Sequence, residues 1–248
     1  MLLLLVDIGN SRIKWGRWSS GQLQSQGSID WHHDELECSF DRQWNNMPIP
    51  TRIIVSNVTG HAIADRLSCW TEKRWAVTPK FVSVQAQAFG VRNGYTDPKQ
   101  LGIDRWLALI AVWNTYKSPA CIVDCGTAVT IDALSTSGEH LGGLILPGLT
   151  LMQQALVEHT YRIQASAAGQ PRRLLAYNTE DGITAGSYYA VTACIDRVAG
   201  ELRKRFGAAF EYIITGGDAE SLLPLLVYPF TWIPDLVLRG LAIVAGGK

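Results

Sequence analysis

The segment LLVDIGNS, Leu4–Ser11, returns in altered form as IVDCGTAVT, Ile122–Thr130. In each copy an apolar run ends in an aspartate that comes two residues before a glycine, and residues with small polar side chains follow. The two copies lie about half a chain length apart, which predicts two related halves. Glycine lets the backbone approach a bound anion, and the small polar residues donate hydrogen bonds to it. The repeat therefore predicts a phosphate-handling cleft between two half-domains.

The composition favours a globular protein that acts on a small molecule. The chain has 248 residues, of which 47% are hydrophobic, so it is long enough to bury a sizeable core. Its 22 basic and 22 acidic residues give a formal net charge of zero. A nucleic-acid-binding protein usually carries a basic surface, and this balance predicts no nucleic-acid partner.

The cysteines and the apolar segments predict a soluble protein of the cytoplasm. The five cysteines form no CxxC pair, which is typical of reduced thiols in a cytosolic enzyme. The opening run MLLLLV stops at Asp7 and lacks a basic segment and a cleavage site, so it predicts a buried strand rather than a signal peptide. No later segment approaches the roughly 18 apolar residues of a membrane span, so no membrane partner is expected.

Strand and helix patterns alternate along the chain, which predicts an α/β fold. The predicted strands are Leu2–Val6, Ile13–Trp18, Arg52–Asn57, Ala120–Val123, Val129–Leu134 and Glu211–Ile214. The predicted helices are His61–Trp75, Asp104–Thr115, Leu151–Glu158, Ala185–Phe206, Ala219–Leu226 and one from Leu236. We expect an N-terminal half over residues 1–116 and a C-terminal half over residues 117–248, with a turn at Gly142–Gly148.

Three polar stretches carry weaker signals. Trp18–Asn46 has little periodicity and predicts hairpins or a variable insertion. Residues 164–178 predict a mobile loop because they are polar and small and include Pro171. His32-His33-Asp34 predicts a solvated loop rather than a metal site, since adjacent histidines point in different directions.

The first glycine turn has the residues of a phosphate site. Gly9 admits close approach of the backbone, Asn10 and Ser11 donate hydrogen bonds, Lys14 follows, and Asp7 is suited to orient hydrated Mg²⁺. A plain hairpin turn would also use glycine and asparagine, and it is the better interpretation of one copy alone. The second copy repeats the chemistry at Asp124, Gly126, Thr127 and Thr130, which favours phosphate binding.

Further glycines leave two interpretations open. Thr215-Gly216-Gly217-Asp218 lies between a predicted strand and helix, where adenine or ribose could rest on the backbone. A simple connection between the two elements fits as well. Gly142-Gly143 and Pro147-Gly148 are likewise either phosphate-approach glycines or turn residues.

The segment from Tyr95 to Arg105 holds the clearest catalytic candidates. Asp104 could accept a proton from a substrate hydroxyl while Arg105 binds an anionic group. The alternative is an Asp that caps a helix beside a surface Arg, which is common. Spacing alone does not decide between the two.

Six motifs occur in order over nearly the whole chain. They are DIGNS at 7–11, GYTDPKQLGIDR at 94–105, DCGTAVTID at 124–132, GGLILPG at 142–148, NT at 178–179 and TGGD at 215–218. Together they resemble type III pantothenate kinase. The resemblance implies the acetate and sugar kinase/Hsp70/actin fold, with two duplicated ribonuclease-H-like domains around a cleft. It also implies a homodimer that phosphorylates pantothenate with ATP, the first step of coenzyme A synthesis, and that needs Mg²⁺ and K⁺ or NH₄⁺.

The resemblance also implies a role for each matching residue. Residues assigned to ATP are Asp7, Ile8, Gly9, Asn10, Ser11, Arg12, Ile13, Lys14 and Thr127. Asp104 becomes the general base for the primary hydroxyl of pantothenate. Residues assigned to pantothenate are Tyr95, Gly102, Ile103, Asp104, Arg105 and, from the neighbouring subunit, Thr179. Asp124 would bind the monovalent cation. One departure is Val129, which stands where the family often has a hydroxyl residue.

Three other functions are compatible with parts of the sequence. Another kinase or phosphohydrolase of the same superfold would keep both phosphate turns without needing the 94–105 segment. Proteins that resemble this family have been described as transcriptional accessory factors, although zero net charge disfavours direct DNA binding. A redox or metal protein finds almost no support in the cysteine and histidine spacing.

Overall fold

The protein is described by a computed structural model covering residues 2–31, 35–159, 174–207 and 210–246. The chain divides into two compact units. Unit 1 comprises Met1–Thr115 with Asp235–Lys248, and unit 2 comprises Tyr116–Pro234. The predicted loop at His32-His33-Asp34 and residues 164–173 of the predicted mobile loop lie outside the described residues.

Unit 1 is built on a five-stranded sheet in the order β3-β2-β1-β4-β5. The strands are β1 (Leu3–Ile8), β2 (Arg12–Ser19), β3 (Gln22–Asp30), β4 (Arg52–Asn57) and β5 (Lys80–Phe81). β1 pairs antiparallel with β2, which confirms the predicted hairpin, and β2 pairs antiparallel with β3. β4 runs parallel to β1, and β5 runs parallel to β4. All six residues of β1 are buried, as its unbroken apolar run predicts.

Two helices lie between these strands in the chain, and a small hairpin and a third helix come after them. They are α1 (Leu36–Trp44), α2 (His61–Trp75), α3 (Ile103–Tyr116) and the hairpin of β6 (Gln87–Ala88) and β7 (Val91–Arg92). The bounds of β4 and α2 agree with their predictions, and α3 begins one residue earlier than predicted. Eight of the first nine residues of α3 are buried, so this helix lies in the core.

The stretch Trp18–Asn46 is part of the core rather than an insertion. It contains the third strand of the sheet and all of α1. On α1 the buried residues Leu36, Phe40 and Trp44 lie one helical turn apart. Phe40 stacks on Trp44 with ring centroids 4.9 Å apart, and Trp70 of α2 lies 5.5 Å from Trp44. The aromatic face of α1 therefore fixes α2 against the sheet.

Unit 2 repeats the topology of unit 1 with new strands. The strands are β8 (Ala120–Cys125), β9 (Ala128–Leu134), β10 (His140–Pro147), β11 (Glu211–Thr215) and β12 (Thr231–Trp232). Their order is β10-β9-β8-β11-β12, with β8, β9 and β10 antiparallel and β11 and β12 parallel to β8. Each unit thus has the same two antiparallel and two parallel pairings around the strand that carries the motif aspartate, as the repeat predicts.

The helices of unit 2 are α4 (Leu149–His159), α5 (Thr179–Phe206) and α6 (Ala219–Leu222), the last followed by a 3₁₀ turn at Leu223–Leu225. α5 begins before its predicted start at Ala185. The side chain of Asn178 accepts the N–H of Asp181 at 2.8 Å and so caps the helix. Glu180 and Asp181 add acidic charge to the first turn, which favours a helix N-terminus.

The predicted turn at Gly142–Gly148 is wrong, because most of this segment is strand β10. Leu144, Ile145 and Leu146 pair with β9 opposite Ile131, Thr130 and Val129. The glycines instead accompany a register shift between His140 and Gly143, where Gly142 has a φ of 104°. Pairing with β9 therefore outweighs the turn propensity of the glycines.

The C-terminal helix α7 (Leu236–Val244) belongs to unit 1, although it lies within the predicted C-terminal half. Arg52 Nη1 donates a hydrogen bond to the carbonyl of Ala245 at 3.0 Å, which ties the end of α7 to β4. Gly240 faces the backbone of Leu107, where a Cβ would overlap the carbonyl. Close packing on α3 and β4 thus places this helix with the first sheet.

Within the described ranges, no helix combines the length and the apolar composition needed to cross a membrane.

Candidate active site

The first glycine turn is exposed at the end of the buried strand β1. The N–H of Gly9 donates to the carbonyl of Arg12 at 3.0 Å and closes the turn. The side chains of Asn10, Ser11 and Arg12 are exposed there. Ile8 and Ile13, which flank the turn, have fully buried side chains in the core of unit 1. These two isoleucines therefore have only their backbone groups to offer a ligand.

Asp7 has a polar neighbour on each side in the sheet. It pairs with Lys14 of β2 and with Ser56 of β4, and side chains in register lie on the same face. The hydroxyl of Ser56 donates to Oδ1 of Asp7 at 2.6 Å, and Ser56 is completely buried. Sequence reasoning missed Ser56, although the polar end of the strand RIIVSN was a signal for it.

Ionisation of the buried Asp7 carboxyl group is energetically unfavourable unless its charge is compensated. Burial raises the pKa of Asp7 to about 6; the Ser56 hydrogen bond opposes this shift, the negative charge of Asp104 adds to it, and Lys14 opposes it. Asp104 is far from Asp7 in sequence, yet the fold of unit 1 brings its charge within electrostatic range of Asp7. A divalent cation would relieve the cost of both charges, and carboxylate oxygens are ligands that Mg²⁺ accepts.

Asp104 lies in the first turn of α3, and its carboxylate folds back over the preceding glycine. Its Oδ1 accepts the N–H of Arg105 at 2.8 Å. A Cβ added at Gly102 would overlap that same oxygen. Gly102 therefore leaves the space in which the Asp104 carboxylate is held.

We expect Gly102→Ala to lower the turnover number about 10- to 100-fold, because the new methyl group pushes the Asp104 carboxylate out of position. The melting temperature should stay close to that of the native protein, since the overlap is with the end of a side chain. Steady-state kinetics and thermal unfolding measure the two effects. A variant with native turnover would show that the position of this carboxylate does not matter.

Arg105 is a buried cation rather than a surface arginine. Its side chain is 6% exposed, so the alternative of a helix cap beside a surface Arg is wrong for this residue. Nη1 donates to the hydroxyl of Tyr95 at 2.9 Å, and the guanidinium lies 5.5 Å from the centre of the Tyr95 ring. Asn93 holds the Tyr95 loop by accepting the N–H of Tyr95 at 2.9 Å and by donating to the carbonyl of Pro98 at 3.2 Å. The guanidinium is thus preorganised to bind an anionic group.

Asp124 occupies in unit 2 the sheet position that Asp7 occupies in unit 1. It pairs with Thr130 of β9 and with Thr215 of β11. Across the strands, each aspartate thus has one neighbour on either side, and together the three residues form a row. Ser56 of unit 1 corresponds to Thr215 of unit 2, and both carry hydroxyl groups, but Lys14 of unit 1 corresponds to Thr130 of unit 2. The second row therefore combines a carboxylate with two hydroxyl residues and lacks a lysine, which is a donor set suited to a hard cation.

The second phosphate turn is supported by close backbone contacts. The carbonyl of Thr127 accepts the N–H of Gly148 at 2.9 Å, and the carbonyl of Cys125 accepts the N–H of Asp218 at 3.0 Å. A Cβ at Gly148 or Gly216 would overlap the backbone of residues 125–127. These two glycines are needed for close approach, whereas a Cβ at Gly217 meets nothing within 4 Å. Thr127 itself is exposed, and Val129 is fully buried in the core.

The cysteines beside Asp124 are core residues. Burial raises the pKa of Cys121 to about 12, and Asp132 adds to the shift. The pKa of the Cys125 thiol is raised further, first by burial and then by the charges of Asp124 and Asp218. Thiols held in this protonated form are poor nucleophiles, and both side chains are fully buried, so they fill space in the core.

Thr179 is exposed at the start of α5. It lines a cavity of about 400 Å³ between α4 and α5, together with Met152, Leu156 and Ile183. Leu156 is 42% exposed, so the surroundings of Thr179 are largely apolar and open.

Comparison with known proteins matches this chain to one family. The family model for type III pantothenate kinase matches residues 3–201. A type III pantothenate kinase of Nitrosococcus oceani is 42% identical over 98% of this chain and 94% of that protein. A structure from Campylobacter jejuni, named for the Baf family of transcriptional activators, has a TM-score of 0.59 and 22% identity, covering 99% of this chain and all of that one. The activator of 2-hydroxyisocaproyl-CoA dehydratase from Clostridium difficile, solved with bound ADPNP, has a TM-score of 0.54 and 13% identity and covers 99% and 94% of the two chains.

Proposed function

This chain belongs to the type III pantothenate kinase family, and on that premise we propose which of its residues catalyse the reaction and which bind ATP, pantothenate and the cations. The enzyme phosphorylates pantothenate with ATP, the first step of coenzyme A biosynthesis. Its fold is that of the actin-like ATPases and sugar kinases. The observation that carries the proposal is that the charge of Asp104, at the start of α3, acts on Asp7, at the end of the strand that leads into the first glycine turn.

Asp104 acts as the general base. Its carboxylate takes the proton of the pantothenate primary hydroxyl as that oxygen forms a bond to the γ-phosphorus of ATP. The bond from this phosphorus to the β,γ-bridging oxygen breaks, and ADP leaves with the electron pair. Because the transition state of phosphoryl transfer is loose, holding the two oxygens in line matters more than a strongly basic carboxylate.

The first turn binds the phosphates of ATP through backbone and side-chain donors of Asn10, Ser11 and Arg12, with the charge of Lys14 nearby. Gly9 leaves space for the phosphates to approach the backbone. In unit 2 the exposed Thr127 makes a further contact with ATP. Asp7 would hold Mg²⁺, because it is a buried carboxylate on which the charge of a second carboxylate, Asp104, acts. Bound with ATP, Mg²⁺ supplies positive charge to the β- and γ-phosphate oxygens.

Pantothenate lies against Tyr95 and the residues from Gly102 to Arg105. The guanidinium of Arg105, fixed by the Tyr95 hydroxyl, binds a carboxylate or phosphoryl oxygen. The backbone of Gly102 and Ile103 borders the same place, because it leads directly into the helix turn that carries Asp104.

Asp124 binds the monovalent cation, K⁺ or NH₄⁺. The comparison of the two sheet rows supports this role: in unit 1 the ammonium group of Lys14 lowers the pKa of Asp7, and unit 2 has Thr130 at the matching position. A free cation can therefore take the place of a lysine ammonium beside Asp124, with hydroxyl oxygens of Thr130 and Thr215 as further ligands.

The enzyme works as a homodimer in which Thr179 reaches the pantothenate of the neighbouring subunit. The exposed apolar cavity around Thr179 supports a contact with another chain, since such surfaces are commonly covered. The cytoplasm is the expected location because all five cysteines are free thiols.

A mixture of two inactive variants tests the shared site. We expect Asp104→Asn and Thr179→Ala subunits, mixed in equal amounts and allowed to exchange, to recover about a quarter of native activity. Half of the random dimers are hybrids, and each hybrid has one site with both native residues if Thr179 serves the partner. Light scattering confirms the dimer, and co-purification of an untagged variant with an affinity-tagged one confirms the exchange. No recovery from exchanged dimers would place Thr179 in its own subunit's site, and native activity of the Thr179→Ala dimer alone would place it outside any site.

No observation specifically favours another kinase of this fold or a transcriptional accessory factor. The family match decides against another small-molecule kinase of this fold. The Campylobacter jejuni structure carries a transcriptional name, but at 22% identity it shows the fold alone.

A further inference from the structure

Trp31 lies beside the first glycine turn, although it belongs to a stretch that matches none of the family motifs. It directly follows β3, whose last residue Asp30 pairs with Arg12 at the start of β2. Its ring packs against the core of unit 1. The indole N–H donates to the carbonyl of Gly9 at 2.8 Å. A rigid side chain anchored in the core thus holds one backbone oxygen of the turn.

The hydrogen bond fixes more than the carbonyl that accepts it. The peptide between Gly9 and Asn10 is planar and trans, so its C=O and N–H point in opposite directions. With the Gly9 carbonyl held toward Trp31, the N–H of Asn10 is aimed away from the indole. Backbone N–H groups of such turns are the donors that bind phosphate oxygens.

Gly9 itself does little to keep this peptide in place. Gly9 has no side chain, so rotation about its backbone meets a small steric barrier. The hydrogen bond from Gly9 N–H to Arg12 closes the base of the turn but does not involve the Gly9–Asn10 peptide. The side chains of Asn10 and Ser11 are exposed rather than packed.

We propose that Trp31 is a positioning residue for ATP, which orients the Gly9–Asn10 peptide so that the N–H of Asn10 faces the phosphates. The inference rests on the proposed role of this turn in binding ATP. It assigns a function to the segment between β2 and α1 beyond its place in the core.

Trp31→Phe tests the proposal because phenylalanine keeps a flat ring and loses only the N–H donor and part of the ring. We expect the dissociation constant for a non-hydrolysable ATP analogue with Mg²⁺, measured by calorimetry, to rise about tenfold. The KM for pantothenate should change less than twofold. Trp18→Phe is the matched control, since the Trp18 indole N–H has no hydrogen-bond partner among the residues that the structure describes, and its affinity should stay native.

Lys14→Met separates this inference from its premise. If Trp31→Phe binds the analogue as tightly as the native protein while Lys14→Met binds it more weakly, the inference about Trp31 is overturned and the turn keeps its role. If neither variant loses affinity, the role of the turn itself is wrong. Should Trp31→Phe fail to fold, Trp31→Tyr takes its place, and a crystal structure of that variant shows whether the tyrosine hydroxyl donates to the carbonyl of Gly9. Native affinity for the analogue without this hydrogen bond would overturn the proposal.

Discussion

Asp104→Asn is expected to lower the turnover number about 10²- to 10⁴-fold, because the amide cannot accept the proton of the pantothenate hydroxyl. The KM for ATP should change little, since the turn that binds the phosphates is intact. The substitution is nearly isosteric, and the amide oxygen can still accept the N–H of Arg105 that the carboxylate accepts at 2.8 Å. Steady-state kinetics with saturating ATP and pantothenate measure the effect.

Asp97→Asn is the matched control for this variant. Asp97 is an exposed carboxylate of the same segment and caps a 3₁₀ turn by accepting the N–H of Lys99 at 3.1 Å, a bond that asparagine can also make. Its turnover should stay within twofold of native. Both variants should melt close to the native temperature. Native turnover in Asp104→Asn would remove Asp104 from the role of general base.

Gly216→Ala is expected to lower the free energy of unfolding by about 2–5 kcal/mol. Gly216 has a φ of 99°, which is unfavourable for a residue with a Cβ. The new Cβ would also overlap backbone atoms of Cys125, so the second phosphate turn and the end of β11 would have to separate. Urea unfolding followed by circular dichroism measures the loss, and the affinity for ATP should fall with it.

Gly217→Ala gives the comparison at the next residue. A Cβ there meets nothing within 4 Å, so stability should change by no more than about 0.5 kcal/mol. Equal stability of the two variants would contradict the close packing of Gly216 on the turn.

The local patterns of the sequence predicted much of the fold. β1 and β2, β4 and α2 follow from apolar runs and helical spacing that each segment carries by itself. The glycines of GGLILPG misled the prediction because strand pairing with β9 is set by distant residues. α1 was missed although Leu36, Phe40 and Trp44 lie one turn apart, since polar residues surround them.

The candidate site was predictable where the residues lie within motifs. Asp7 and Asp104 were both named from sequence, and in the structure the charge of Asp104 acts on Asp7 within unit 1. Ser56 and Trp31 were not found, because each contacts the motif across strands rather than along the chain. The place of α7 in unit 1 was missed for the same reason, since its contacts with β4 and α3 are distant in sequence.

The release of ADP by the purified protein with ATP and Mg²⁺ tests the central claim most directly. Pantothenate is compared with acetate and glucose as acceptors, in potassium, ammonium and sodium buffers, for the native protein and Asp124→Asn. We expect turnover only with pantothenate, a requirement for potassium or ammonium, and the loss of that cation response in Asp124→Asn. Turnover with another acceptor, or none with pantothenate under any cation, would contradict the substrate that the segment around Asp104 is proposed to bind.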